Sequence, residues 1–122
     1  MVTIESDTKM NLTMFLCSGT PTPSELKSTL AAFYETKPSL NTIWDFSAAD
    51  LTELTPEKIS ELAGFLKHTS HSRAGGRSAL IFSQSQLISM TARLNTLAEL
   101  EIEDATIKIF DTRDKAQQWI AG

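Results

Sequence analysis

The chain has 122 residues, 41% of them hydrophobic and 21% charged, which is close to globular averages and unlike a disordered chain or a coiled coil. That length encloses one hydrophobic core and leaves no room for a second, so a single domain over 1–122 is expected. A net charge of −4 has the wrong sign for neutralising a row of phosphates, which sets nucleic acid aside as a partner.

The first strand signal is the alternation of Val2 and Ile4 with polar neighbours. After the turn-forming Asp7-Thr8-Lys9 comes Leu12 to Cys17, and together the two segments read as a β-hairpin. Thr22-Pro23-Ser24-Glu25 is a helix start, with Thr22 as N-cap, Pro23 at the first helical position and Glu25 placed to close a capping box. Leu26, Leu30, Phe33 and Tyr34 then form one face of an amphipathic helix that should stop before Pro38.

Asn41 to Phe46 is too short for a helix and rich in strand formers, so it reads as a buried strand interrupted by Asp45. Thr55-Pro56-Glu57 repeats the cap-then-proline start, and Ile59, Leu62, Ala63 and Leu66 mark the inward face of a second helix. Ser78 to Phe82 is a continuous apolar run, expected of a central parallel strand covered on both faces. Ser85 is the expected cap of a third helix with core face Leu87, Met90, Leu94, Leu97 and Ala98. Ile107 to Phe110 restores the period of two, with Lys108 pointing outward on an edge strand. A last helix from about Thr112 to Ala121 should bury Ala116, Trp119 and Ile120. The expected fold class is therefore α/β: an N-terminal β-hairpin strand plus four β-α units, forming a mostly parallel five-stranded sheet with packed helices.

Trp44-Asp45-Phe46-Ser47-Ala48-Ala49-Asp50-Leu51-Thr52 resembles the anti-sigma-factor-antagonist (STAS) or SpoIIAA-like family, whose third strand ends in a similar Leu-Asp-Leu-Ser-x-x-Asp run. The resemblance extends to element order along most of the chain and points to a bacterial subgroup of uncharacterised function. In that family an Asp-Ser-Ser-Gly loop opens the second helix, and phosphorylation of its first serine switches binding of a partner kinase. The matching positions here are Glu53-Leu54-Thr55-Pro56, so the phosphoacceptor position is Leu54, which has no hydroxyl. Thr52 and Thr55 lie close enough to be substitute acceptors, and helix capping accounts for Thr55 without any such role.

Ligands of open parallel sheets bind beyond the carboxyl ends of the strands. That rim comprises Ser18 to Thr22, Ser47 to Thr55, Ser83 to Ser85 and Asp111 to Arg113. It gathers Asp50, Glu53 and Asp111 around Arg113 as the expected sole base, without a glycine-rich phosphate loop. The candidate partner or ligand surface is Asp45, Ser47, Asp50, Thr52, Glu53, Thr55 and Ser83. Asp45 is costly to bury alone and should either bond loop amides or be aimed by strand alternation to solvent.

His68 and His71 end the second helix without further ligands beside them, and the basic turn Arg73 to Arg77 follows as the helix exit. A lone cysteine, Cys17, builds no disulfide framework and reads as a small core residue, which fits a reducing cytoplasm. Met1 to Asp7 has acids where an export signal needs positive charge, and no apolar run approaches the roughly 20 residues of a transmembrane helix.

No catalytic, cofactor or metal set is therefore expected. The leading expectation is a non-catalytic regulatory or protein-interaction module with a protein partner, and self-association through an exposed edge strand as a homodimer. The alternative is a carrier of a small apolar ligand or lipid lined by Met14, Phe15, Trp44, Phe65, Met90 and Trp119, and the third is an enzyme using the rim carboxylates.

Overall fold

The computed structural model describes residues 1–35, 39–55, 57–58, 61, 76–89 and 105–122. In chain order these form β1 (Val2–Asp7), β2 (Leu12–Gly19), α1 (Pro23–Glu35), β3 (Asn41–Ala49), β4 (Gly76–Ile81), α2 (Gln84–Ser89), β5 (Ala105–Phe110) and α3 (Arg113–Ala121). The five strands make one sheet in sequential order, with β1 antiparallel to β2 and the other pairs parallel. The expected α/β class, the hairpin and the mostly parallel sheet are all present.

The hairpin turn closes because the Asp7 carboxylate accepts from the backbone amides of Lys9 and Met10, an Asx-turn. Asn11 then takes φ +50°, which its short polar side chain tolerates. Thr22 caps α1 by accepting from the Glu25 amide at 3.1 Å. The reciprocal half of the expected capping box is replaced, because the Glu25 carboxylate lies 3.2 Å from the Met1 ammonium.

Strand alternation sorts the core into two layers. On the α1 face, Phe15, Cys17, Trp44, Phe46, Leu80 and Phe82 pack with Leu26 and Leu30. Phe15 and Trp44 are register partners on β2 and β3, and their rings stack at 4.0 Å. Phe46 continues the row to Phe82 at 5.2 Å. On the opposite face, Leu12, Met14, Ile43, Ala79 and Ile81 meet Ala116 and Ile120 of α3. Sequential right-handed crossovers keep their helices on one face, so a helix that follows the last strand is free to cover the other.

Three expectations shift. β3 runs on past Phe46 to Ala49, and its register with β2 slips between Leu16 and Ser18. Leu16 opposes Asp45 while Ser18 opposes Ala48, so β3 carries one extra residue, a β-bulge around Phe46 and Ser47. β4 begins at Gly76 and ends at Ile81, with Phe82 held just beyond it by donating its amide to the Phe110 carbonyl at 3.0 Å.

The cap of α2 is Ser83 and not Ser85. Ser83 accepts from the Gln86 amide at 3.3 Å while Gln86 Oε1 accepts from the Ser83 amide at 2.7 Å, a complete capping box.

The last helix begins at Arg113 with Thr112 as its N-cap, one residue inside the expected start, and Ala116 and Ile120 are buried. Trp119 is only half-buried, leaning on Phe110 and beneath the Arg77 guanidinium, which also donates to its carbonyl. Of the second predicted helix, Glu57, Lys58 and Glu61 are helical and the Lys58 amide donates to Thr55 Oγ1 at 3.3 Å, which makes Thr55 its N-cap. Ile59, Leu62, Ala63 and Leu66 lie outside the described residues, as does most of the core face assigned to the third helix.

Candidate functional site

Because β2 to β5 are parallel, their carboxyl ends converge on one edge of the sheet, the edge to which the rim residues were assigned. Its most buried polar group is Asp45, 9% exposed, on the α3 face between Leu16 and Ile81. Alternation therefore does not aim it at solvent. A bulge takes an amide out of the ladder, and Asp45 replaces the lost partner: its Oδ1 accepts from the Ser47 amide at 2.9 Å and the Ser47 hydroxyl at 2.6 Å. Its other oxygen accepts from Arg113 at 3.2 Å, at the start of α3. Burial pushes the Asp45 carboxyl up, but the Ser47 hydroxyl, the Ser47 amide and the Arg113 guanidinium outweigh it and hold the group below the usual carboxylate range.

The sequence run from Asp45 to Asp50 is thus a structural unit. Asp45 closes the bulge, and Asp50 accepts from the Thr52 amide at 3.0 Å in the next turn. Leu51 and Leu54 drop into the α1-face core, while Thr52, Glu53 and Thr55 stay exposed. Leu54, the residue that the sequence resemblance matches to the phosphoserine position, is therefore interior.

A structural anchor of this rim, not predicted from the sequence, is Gln86. Besides closing the α2 cap, its Nε2 donates to the carbonyls of Phe46 at 2.8 Å and Ala49 at 2.9 Å, bracketing the bulge. The signal available was the Ser-x-x-Gln spacing from Ser83 to Gln86.

The rim also has more than one base. Lys115 lies 2.9 Å from Asp111, and that contact, first of all the lysine's hydrogen bond, holds the Asp111 carboxyl below its ordinary range. Each described rim acid apart from Glu53 is thereby engaged: Asp45 with Ser47 and Arg113, Asp50 with Thr52, and Asp111 with Lys115. Ser83 is half-buried and committed to α2.

Cys17 is buried on the α1 face, and desolvation pushes its thiol up to about 12. The described members of the apolar set do not converge. Phe15 and Trp44 lie in one core layer, Met14 and Trp119 in the other, and the sheet separates them. Phe65 and Met90, like His68, His71 and the basic turn from Arg73, lie outside the described residues. Among the described residues no group of three or more His, Cys, Asp or Glu could hold a metal ion, and no helix is long and apolar enough to cross a membrane.

No protein-family model and no curated protein matches the chain. Among solved structures, an uncharacterised protein of the DUF3478 family with a SpoIIAA-like fold, from Shewanella loihica PV-4, aligns with a TM-score of 0.58. The alignment has 15% sequence identity and covers 98% of this chain and 92% of that one. Over that span the chain, with its strands in sequential order and the first antiparallel, has a SpoIIAA-like fold.

Proposed function

We propose that the chain is a single-domain, non-catalytic interaction module of the STAS-like type, cytoplasmic and bacterial, whose partner-facing surface is the rim of Ser47, Asp50, Thr52, Glu53, Thr55 and Ser83, shaped from beneath by the buried Asp45. The observation that carries this reading is the division within 50–55: Leu51 and Leu54 are buried anchors, while Thr52, Glu53 and Thr55 between and after them face solvent. A segment fixed by its apolar residues presents its polar ones with little ordering entropy left to lose, which favours recognition by a protein surface. The local bonds that engage Asp45, Asp50 and Asp111 further suit a scaffold more than general acid–base work, which needs a carboxylate free to meet substrate.

The test is affinity capture from extracts of the source organism, with wild-type protein beside a Glu53→Lys, Thr52→Arg double variant. Both positions are exposed, so the fold should be unchanged. The expected result is a protein retained by the wild type and lost from the variant. Retention equal in both, no retained protein at any practicable concentration, or a small-molecule turnover abolished by Asp45→Asn would overturn the proposal.

A further inference from the structure

We infer that the outer edge of β1 pairs antiparallel with β1 of a second copy of this chain, about a twofold axis at Ile4. This rests on the hairpin alone and not on the rim. Met1 and Ser18 exchange both backbone bonds, each at 2.9 Å, so they form a hydrogen-bonded pair. Antiparallel ladders alternate such pairs, so Thr3, Glu5 and Asp7 turn their backbone groups inward to β2, while Val2, Ile4 and Ser6 turn theirs to the open edge.

Apart from the exposed acids Glu5 and Asp7, that edge has none of the usual guards. β1 contains no lysine, arginine or proline, and its register with β2 is unbroken by any bulge. β5, at the other end of the sheet, carries the exposed Lys108. Ile4 is 56% exposed although its register partner Phe15 is fully buried, so a large apolar side chain stands uncovered beside the core.

Parity, charge and the number of pairs formed together favour one register. A second copy must set outward residues opposite outward residues, which excludes any slip by one. Ile4 opposite Ile4, with Val2 opposite Ser6 on either side, forms three hydrogen-bonded pairs and places Thr3 against Glu5. Sliding by two toward Asp7 sets Glu5 against Glu5, and like charges directly opposite are destabilising. Sliding by two the other way leaves only the pairs between Val2 and Ile4. Among the described helices, α1, on the Ile4 face of the sheet, does not obstruct the chosen arrangement. α1 packs over β2 and β3, so the two copies of α1 are separated by three or more strand spacings, about 14 Å, which exceeds the diameter of a helix with its side chains.

One short strand buries less than the roughly 1,200 Å² of a standard interface, so the dimer is weak and concentration-dependent. Sedimentation equilibrium up to about 1 mM chain tests it. The wild type should dimerise. Thr3→Glu, facing Glu5 of the second copy at two symmetric positions, should weaken the dimer roughly 2- to 30-fold, and Thr3→Lys should strengthen it by a similar factor. The double variant Thr3→Glu, Glu5→Lys should restore it. Ile4→Pro removes an amide that β1–β2 pairing does not use and should abolish dimerisation with the circular dichroism spectrum unchanged. A wild type monomeric throughout, or self-association that ignores the charge swaps or survives Ile4→Pro, as pairing through β5 would, overturns the inference.

Discussion

Asp45 shows how one side chain can look functional in a sequence and carry a structural duty. Its carboxyl is held low by Ser47 and Arg113, while the unfolded chain returns it to about 3.9. Its contribution to stability is therefore fully present above that unfolded value and is lost as the pH falls through the depressed folded value. Asp45→Asn should cost roughly 1–3 kcal/mol at neutral pH, and urea titrations should show the gap to wild type closing below about pH 4. A gap independent of pH would mean that the charge contributes nothing. The Arg113 side chain is 47% exposed, so solvent screens its share, and Arg113→Ala should cost less than about 1 kcal/mol. Cys17 makes the complementary case. With its thiol raised to about 12, a disulfide reagent at pH 8 should label it only at the rate at which the chain opens, and fast labelling of the folded protein would contradict its burial.

At the scale of elements, helix starts were legible because a cap is a local device. Thr22 and Thr55 each accept from the backbone amide three residues on, as their spacing implied, and Thr112 does the same at the start of the last helix. The cap of α2 is equally local, since Gln86 lies three residues after Ser83 and marks the box, whereas Ser85 has Ile88 at that spacing. The bulge is different. Asn41 to Phe46 reads as plain alternation, and the extra residue exists only relative to the register of β2, which no local pattern encodes. Gln86 belongs to both classes, since its cap is local and its bonds to Phe46 and Ala49 join α2 to β3. Gln86→Ala should therefore lower stability by about 1–3 kcal/mol, more than the roughly 1 kcal/mol expected for Ser83→Ala. Gln86→Glu keeps the acceptor for the Ser83 amide but turns a carboxylate on two carbonyls, and in thermal unfolding it should be the least stable of the three.

For the whole molecule, the two-layer core was written in the strand periodicity: residues 14 and 15, 43 and 44, and 79 and 80 send alternate side chains to opposite faces of the sheet. The reading of six large apolar residues as one pocket failed because face assignment depends on the sheet around them, and it sends Met14 and Trp119 away from Phe15 and Trp44. The same layering sets a gradient of local stability. β3 and β4 have neighbours on both edges and buried side chains on both faces, whereas β1 has one neighbour and five exposed residues. Opening β3 or β4 exposes both core layers at once, so their amides should exchange only through global unfolding. In dilute protein the outward amides of Val2, Ile4 and Ser6 should show almost no protection, because nothing in the chain's own ladder accepts from them. Hydrogen exchange read residue by residue checks both ends of that gradient. Slow exchange confined to the hairpin, with β3 and β4 opening first, would be incompatible with a core divided by the sheet.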